Sequence, residues 1–224
     1  MKNNPFEQHN FTYLSASRIN QYVTDVPMFV LKYLFNISDQ TNPSALRGHV
    51  VEYGLNRVFL EKSVNDVLLN AEFDKKLVEE NIFDEHDEKQ KTERQVVADC
   101  FAMAKDNCKY EKLLKYQDKI EVHFEDLPIH FIGYIDFVFN DCIVDLKTTT
   151  RMPSELPTNV KRQMALYNMA YPDKQIFVDY VTPKKHKRFD MSLEEVSFYQ
   201  QEIYKISMNI QNLLGMSDNP YELA

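Results

Sequence analysis

At 224 residues, with 44% hydrophobic, 12% aromatic and 27% charged side chains, the chain is large enough to bury a core of its own. A formal net charge of −8 opposes binding to a polyanion over the whole surface, but local basic patches survive an acidic total, so charge alone excludes no partner. No apolar run approaches the ~20 residues of a membrane span, and the four glycines form neither a P-loop nor a dinucleotide-binding loop, which excludes a nucleotide cofactor held in those ways.

In chain order, the first third is helical in pattern. Ser15 or Ser17 caps a short helix through Tyr22 and Val23, and Pro27 starts the next, through Phe35. Leu46, Val50 or Val51, Leu55, Val58 and Phe59 recur at helical spacing and predict a third helix from Pro43 to Leu60. Asp74 to Asp87 is charged and poorly patterned, which predicts a short helix and a loop. Glu88 to Tyr116 has the pattern of one long helix with Val96, Val97, Cys100, Phe101, Ala104 and Cys108 facing inward. β-Branched and aromatic residues then dominate Lys119–Phe124, Ile129–Phe139 and Cys142–Thr148, separated by short turns, as in a three-stranded antiparallel meander. A helix from Asn159 to Tyr171 stops at Pro172, a strand follows from Gln175 to Val181, and a helix from Leu193 to Leu214 closes the chain. This order predicts an α/β fold, a small central mixed sheet flanked by helices. One domain is expected over 1–224: mainly helical to residue 116, a core at 117–181, then a basic loop and the last helix.

Asp145 and Lys147 stand on one face of a strand, about 6.6 Å apart along it. A carboxylate there can ligate a metal while the ammonium meets an attacked phosphate; an internal ion pair is the plainer alternative. D/E-x-K also occurs at Asp74/Lys76 and Asp87/Lys89, but only Asp145/Lys147 lies in an apolar strand, where unpaired charge costs several kcal/mol, on the order of 2–7. Asp136 lies on the preceding strand, on the face of Ile132, Tyr134 and Val138, and a short hairpin brings it across to Asp145. Two such acids repel unless a proton or a hard cation such as Mg²⁺ sits between them. Glu52 follows Gly48 by four residues, and a bare glycine lets that helix pack closely on the sheet and aim Glu52 at a metal. Gln163 and Tyr167 share a helix face. Lys184, Lys185, Lys187 and Arg188 form a basic cluster past the last strand, either a phosphate track or a solvated loop.

Gly48-x-x-x-Glu52, Gly133-x-x-Asp136, Asp145-x-Lys147 and Gln163-x-x-x-Tyr167, in that order, resemble the motif set of the RecB-like and phage-type PD-(D/E)XK nucleases. Leu14-Ser-Ala-Ser-Arg-Ile-Asn-Gln-Tyr22, with Pro27 and Phe29, resembles their N-terminal helical segment. The resemblance runs from about residue 14 to 181. It implies a restriction-endonuclease-like αβββαβ core and Mg²⁺, for which Mn²⁺ substitutes, held by Glu52, Asp136, Asp145 and the backbone carbonyl of Leu146. It gives Lys147 the attacking water or the transition state, and Gln163 and Tyr167 the substrate strand; Lys184 and Lys185 of the basic cluster are the further substrate-binding candidates. Many RecB-like members carry His where this chain has Glu52, so His49, one turn away, is a second candidate ligand; the family spacing favours Glu52. Relatives in CRISPR adaptation hold a four-cysteine iron–sulfur cluster, which Cys100, Cys108 and Cys142 cannot build; these are expected reduced and buried, in the cytoplasm. The function implied is a stand-alone DNA exonuclease of phage-type recombination, partnered by a single-strand annealing protein in a host cytoplasm. A structure-selective or restriction-type endonuclease is the alternative. A nuclease-fold DNA-binding subunit that no longer cuts is the second, against which the intact Asp136, Asp145 and Lys147 argue.

Overall fold

The computed structural model describes residues 4–37 and 41–223. Helix α1 (Pro5–Gln8) is a single turn. Helix α2 (Ala16–Thr24) is capped by Ser15, whose hydroxyl accepts from the Arg18 amide at 3.3 Å. Asp25 caps α3 (Val26–Tyr33), which ends two residues before the expected Phe35. Helix α4 (Pro43–Phe59) follows the predicted bounds almost to the residue, with Pro43 in its first turn and Asn42 as its cap.

Helix α5 (Asp66–Glu79) begins eight residues before the charged segment suggested. Asn65 caps it, and Leu69, Phe73 and Leu77, spaced four apart, are its buried stripe; the lysines and glutamates between them hide that stripe from a reading of charge. Helix α6 (Glu88–Asn107) is shorter than expected, because Leu113 to Tyr116 belong to a strand. The helix stops at Cys108, where ψ is 81°, and Leu113 and Tyr116 pair instead with Phe139 and Phe137. Tertiary pairing overrides the helical preference of Leu-Leu-Lys-Tyr.

Strands β1 (Leu113–His123), β2 (His130–Phe139) and β3 (Cys142–Thr148) form the expected antiparallel meander. Helix α7 (Thr158–Asn168) crosses over to β4 (Gln175–Val181), parallel to β3. A fifth strand, β5 (His186–Asp190), pairs antiparallel with β4 and gives the sheet the order β1-β2-β3-β4-β5. The basic segment expected to be a loop is therefore largely strand. Helix α8 (Leu193–Leu214) opens on a Ser192/Glu195 capping box. Among the described residues no helix is long and apolar enough to cross a membrane.

The sheet lies between two helical layers, each with its own core. Ile143, Ile176 and Val178 pack with Ile19, Leu166 and Ile203 under α2, α7 and α8. Val144, Leu146 and Val181 point the other way, to Val51, Phe73 and Phe101 of α4, α5 and α6. Alternation holds through β3 and β4 but breaks in β2. Phe131 and Ile135 face the α7 layer, whereas Phe137 and Phe139, two and four residues beyond Ile135, face the α4 layer. The changeover falls at Asp136.

Candidate active site

Asp136 sits at the break because the backbone yields on both sides of it. Its neighbour on β1 is Gln117, which has φ 50°; the ladder runs Tyr116–Phe137 and Asp118–Ile135 around this point with no residue gained. On the other side, β2 and β3 pair at Val138–Ile143 and Phe137–Val144, and the ladder ends there. One step further Asp136 would stand opposite Asp145. Instead the Asp136 carboxylate accepts the Leu146 amide at Oδ2, 2.8 Å away, in place of a ladder carbonyl. The amide and carbonyl of one strand residue point the same way, so the Leu146 carbonyl also turns toward β2.

Through this gap groups from both layers meet. Asp145 and Lys147 project toward α7, and Glu52 comes from α4 on the opposite side. Asp145 is fully buried, Glu52 is 6% exposed and Asp136 9%. Lys147 donates to Asp145 Oδ1 at 2.9 Å. The other oxygen, Oδ2, lies 2.7 Å from the same nitrogen but at an angle that gives it no hydrogen bond. Lys147 thus pairs with Asp145 as an ion but leaves Oδ2 without a directed hydrogen bond, a lone pair open to a metal ion.

Electrostatics point the same way. Burial, then the charges of Asp145 and Glu52, push the Asp136 carboxyl well above its ordinary range, against Lys147 and the Leu146 amide. Burial pushes Glu52 up to about 7, with Asp145 adding to it, while hydrogen bonds from Gln117 and Tyr116 and the charge of Lys147 oppose. Burial works against the Lys147 cation, but Asp145 and Asp136 outweigh it and hold the ammonium above its ordinary range. Two acids held above their ordinary range beside a third buried carboxylate are a donor set fitted to a hard divalent cation.

The remaining predicted residues divide. Gln163 donates to the Tyr167 hydroxyl at 2.8 Å, and both line, with Lys147, a cleft of about 660 Å³ between α2, β2 and α7. Tyr167 fits because residue 133 is glycine: a Cβ there would lie 2.5 Å from Tyr167 Cε1. Gly48 has no such need, since its Cβ would meet Thr148 Oγ1 at an ordinary 3.6 Å; the close helix approach belongs to Gly54, against Leu69 and Phe101. His49 is exposed, outside the carboxylate cluster. Lys184 and Lys185 are exposed on a turn held by the Thr182 hydroxyl, beside Arg151 and away from the cleft. Lys187 donates to the Ser154 carbonyl at 2.6 Å, and Arg188 is paired with Asp179 at 3.0 Å. The other two D/E-x-K matches are structural: Asp74 pairs with Arg94 at 2.6 Å, and Asp87 caps α6.

Sequence patterning missed Tyr116 and Gln117, the partners of Glu52, because it placed the first in a helix and the second in the gap before a strand. It also missed a polar centre on the other face of β4. Asp179, fully buried, accepts from Tyr110, from His186 Nε2 at 2.8 Å and from Arg188, with Cys108 beside it. An aspartate inside a β-branched strand was the available signal.

The model of the PD-(D/E)XK nuclease superfamily matches residues 13–218, and the chain belongs to that superfamily. A solved structure from Eubacterium rectale, named as a candidate exonuclease, aligns at TM-score 0.64 with 15% identity over 95% of this chain and 86% of its own. The structure of SSO0001 aligns at TM-score 0.45 with 12% identity, over 92% and 83%. No curated protein matches. The chain is thus a nuclease-superfamily protein by sequence, and its five-stranded mixed sheet between helices is that superfamily's fold.

Proposed function

We propose that the protein is a metal-dependent DNA exonuclease, a single nuclease domain in which Glu52, Asp136, Asp145 and the Leu146 carbonyl hold Mg²⁺, or Mn²⁺ in its place. The observation that carries this reading is the convergence of three buried carboxylates and Lys147 at the break between β2 and β3, with Asp145 Oδ2 left without a directed hydrogen bond. When bound, such a cation lowers the pKa of a water and withdraws charge from a phosphate. Lys147, tied to Asp145, is a cation at neutral pH rather than a base, and it stabilises charge on the attacked phosphate. Asp136, fixed by the Leu146 amide, holds the β3 backbone at the site. Gln163 and Tyr167 orient the strand that enters the cleft, and Lys184 and Lys185, with Arg151, meet the phosphates outside it.

Action from DNA ends is supported by a recessed cleft of about 660 Å³ bounded by α2 and α7 beside Lys147. Work beside a single-strand annealing protein in recombination is the setting such an activity suits. Purified protein in Mg²⁺ should digest end-labelled linear duplex and spare covalently closed circles, and excess EDTA should stop it. Nicking or linearisation of circles would replace the exonuclease reading with an endonuclease on the same residues. Binding without any cleavage would leave a DNA-binding subunit.

A further inference from the structure

We propose that the cleft beside Lys147 is a subsite for one unpaired nucleotide, with Tyr134 and Tyr13 as its stacking platforms, so that the substrate is a single-stranded or frayed end. This rests on the nuclease reading for the position of the phosphate, but not for the character of the cleft. About 660 Å³ is the size of a pocket for one small ligand and not for a base pair with its complementary strand. Among the described residues Lys147 is the one charged member of its lining. Elsewhere the wall offers neutral hydrogen-bonding groups, Asn20, Gln21, Asn159 and Gln163 among them, with three tyrosines, Tyr13, Tyr134 and Tyr167. A groove for a phosphate backbone would be basic; a wall of amides and aromatic rings matches a nucleobase, which presents donors and acceptors on its edges and a π-face.

Two of the rings are placed for stacking. Tyr134 is 51% exposed in the middle of a strand, although it lines the cleft and is flanked by buried Phe131, Ile135 and Phe137. About half of that ring is left uncovered. Its direct partner on β1 is Lys119, an exposed cation on the same face. Tyr13 is held from one side by Arg18, whose guanidinium carbon lies 4.1 Å from the ring centre. Among the described residues Arg18 has no carboxylate partner; its neighbours are the rings of Phe11, Tyr13 and Tyr33. The guanidinium therefore fixes Tyr13 without neutralising itself, and adds positive potential behind the cleft. Tyr167 is buried and already bound by Gln163, so it closes the floor.

The test is fluorescence anisotropy of the full chain in EDTA with a labelled octathymidylate and, separately, a labelled blunt hairpin duplex. Wild-type protein should bind the single strand more tightly than the hairpin. Tyr134→Ala should weaken single-strand binding about tenfold, the effect of one lost base–ring stack, Tyr134→Phe should restore it, and hairpin binding should not change. Equal single-strand binding by wild type and Tyr134→Ala, or tighter wild-type binding of the hairpin, would overturn the proposal. Failure of the nuclease reading shows separately, as no Mg²⁺-dependent cleavage of either substrate while Tyr134-dependent binding persists.

Discussion

Gly133 and Tyr167 share one space: a Cβ on residue 133 would stand 2.5 Å from Tyr167 Cε1, a distance no real contact adopts. Tyr167 is 5% exposed and cannot swing away. Gly133→Ala should therefore be destabilised by about 1–3 kcal/mol through overpacking, and should lose cleavage beyond that of Tyr167→Phe, which removes only the hydroxyl. Gly48→Ala is the control. Its Cβ meets an ordinary contact inside a helix, so it should be neutral or stabilising by up to about 1 kcal/mol. Urea unfolding of the three variants decides; an unperturbed Gly133→Ala would remove the packing link between β2 and α7.

When no cation is present, burial and the charges of Asp145 and Glu52 oppose ionisation of Asp136, so its carboxyl is a cost to the fold. Asp136→Asn keeps an oxygen for the Leu146 amide and removes the repulsion. The metal-free variant should match or exceed wild-type stability, by about 1 kcal/mol or more, while losing Mg²⁺-dependent cleavage. Mg²⁺ should raise the wild-type Tm and leave the variant's unchanged, since only a folded protein with a site is stabilised by its ligand. A Mg²⁺-induced Tm shift of wild-type size in Asp136→Asn would remove that residue from the cation site.

Glu52 and His49 make opposite predictions. Glu52 is buried in the cluster with Gln117 and Tyr116 hydrogen bonded to it, and His49 is exposed. Glu52→Gln should cost cleavage by orders of magnitude, His49→Ala less than about twofold, both measured in saturating Mg²⁺. The reverse order would place the ligand on the other turn of α4.

Asp179 is a structural counterpart on the far face of β4. Burial raises its carboxyl, but His186, Arg188 and Tyr110 together hold it below its ordinary 3.8. A folded-state pKa below the unfolded one adds stability that is complete above the unfolded value and fades as pH falls through the folded one. Wild type should exceed Asp179→Ala by about 3 kcal/mol near neutrality, toward the lower end for a broken buried pair because Arg188 is partly exposed, and the gap should begin to narrow as pH falls below about 4. A gap that stays constant from pH 7 to pH 3 would show that the carboxylate's ionisation contributes nothing there.

The sequence by itself determined what local chemistry and periodicity can determine. The β2–β3 hairpin, the α7 crossover and the parallel β4 follow from alternation and turn residues, and Asp145/Lys147 stood out because charge in an apolar strand is costly. The helical extent failed at Leu113–Tyr116, where pairing with β2 outweighs local propensity, and the expected basic loop failed at β5, whose charged residues are held as a strand by Asp179 across the ladder. Only the tertiary structure decided how the carboxylates meet. Strict alternation would have put Asp136 on one face of a continuous sheet, shut off from Glu52 in the opposite layer. The positive φ of Gln117 and the early end of the β2–β3 ladder open the sheet at that point. No single-residue pattern encodes that opening, because it arises from how two neighbouring strands fail to pair.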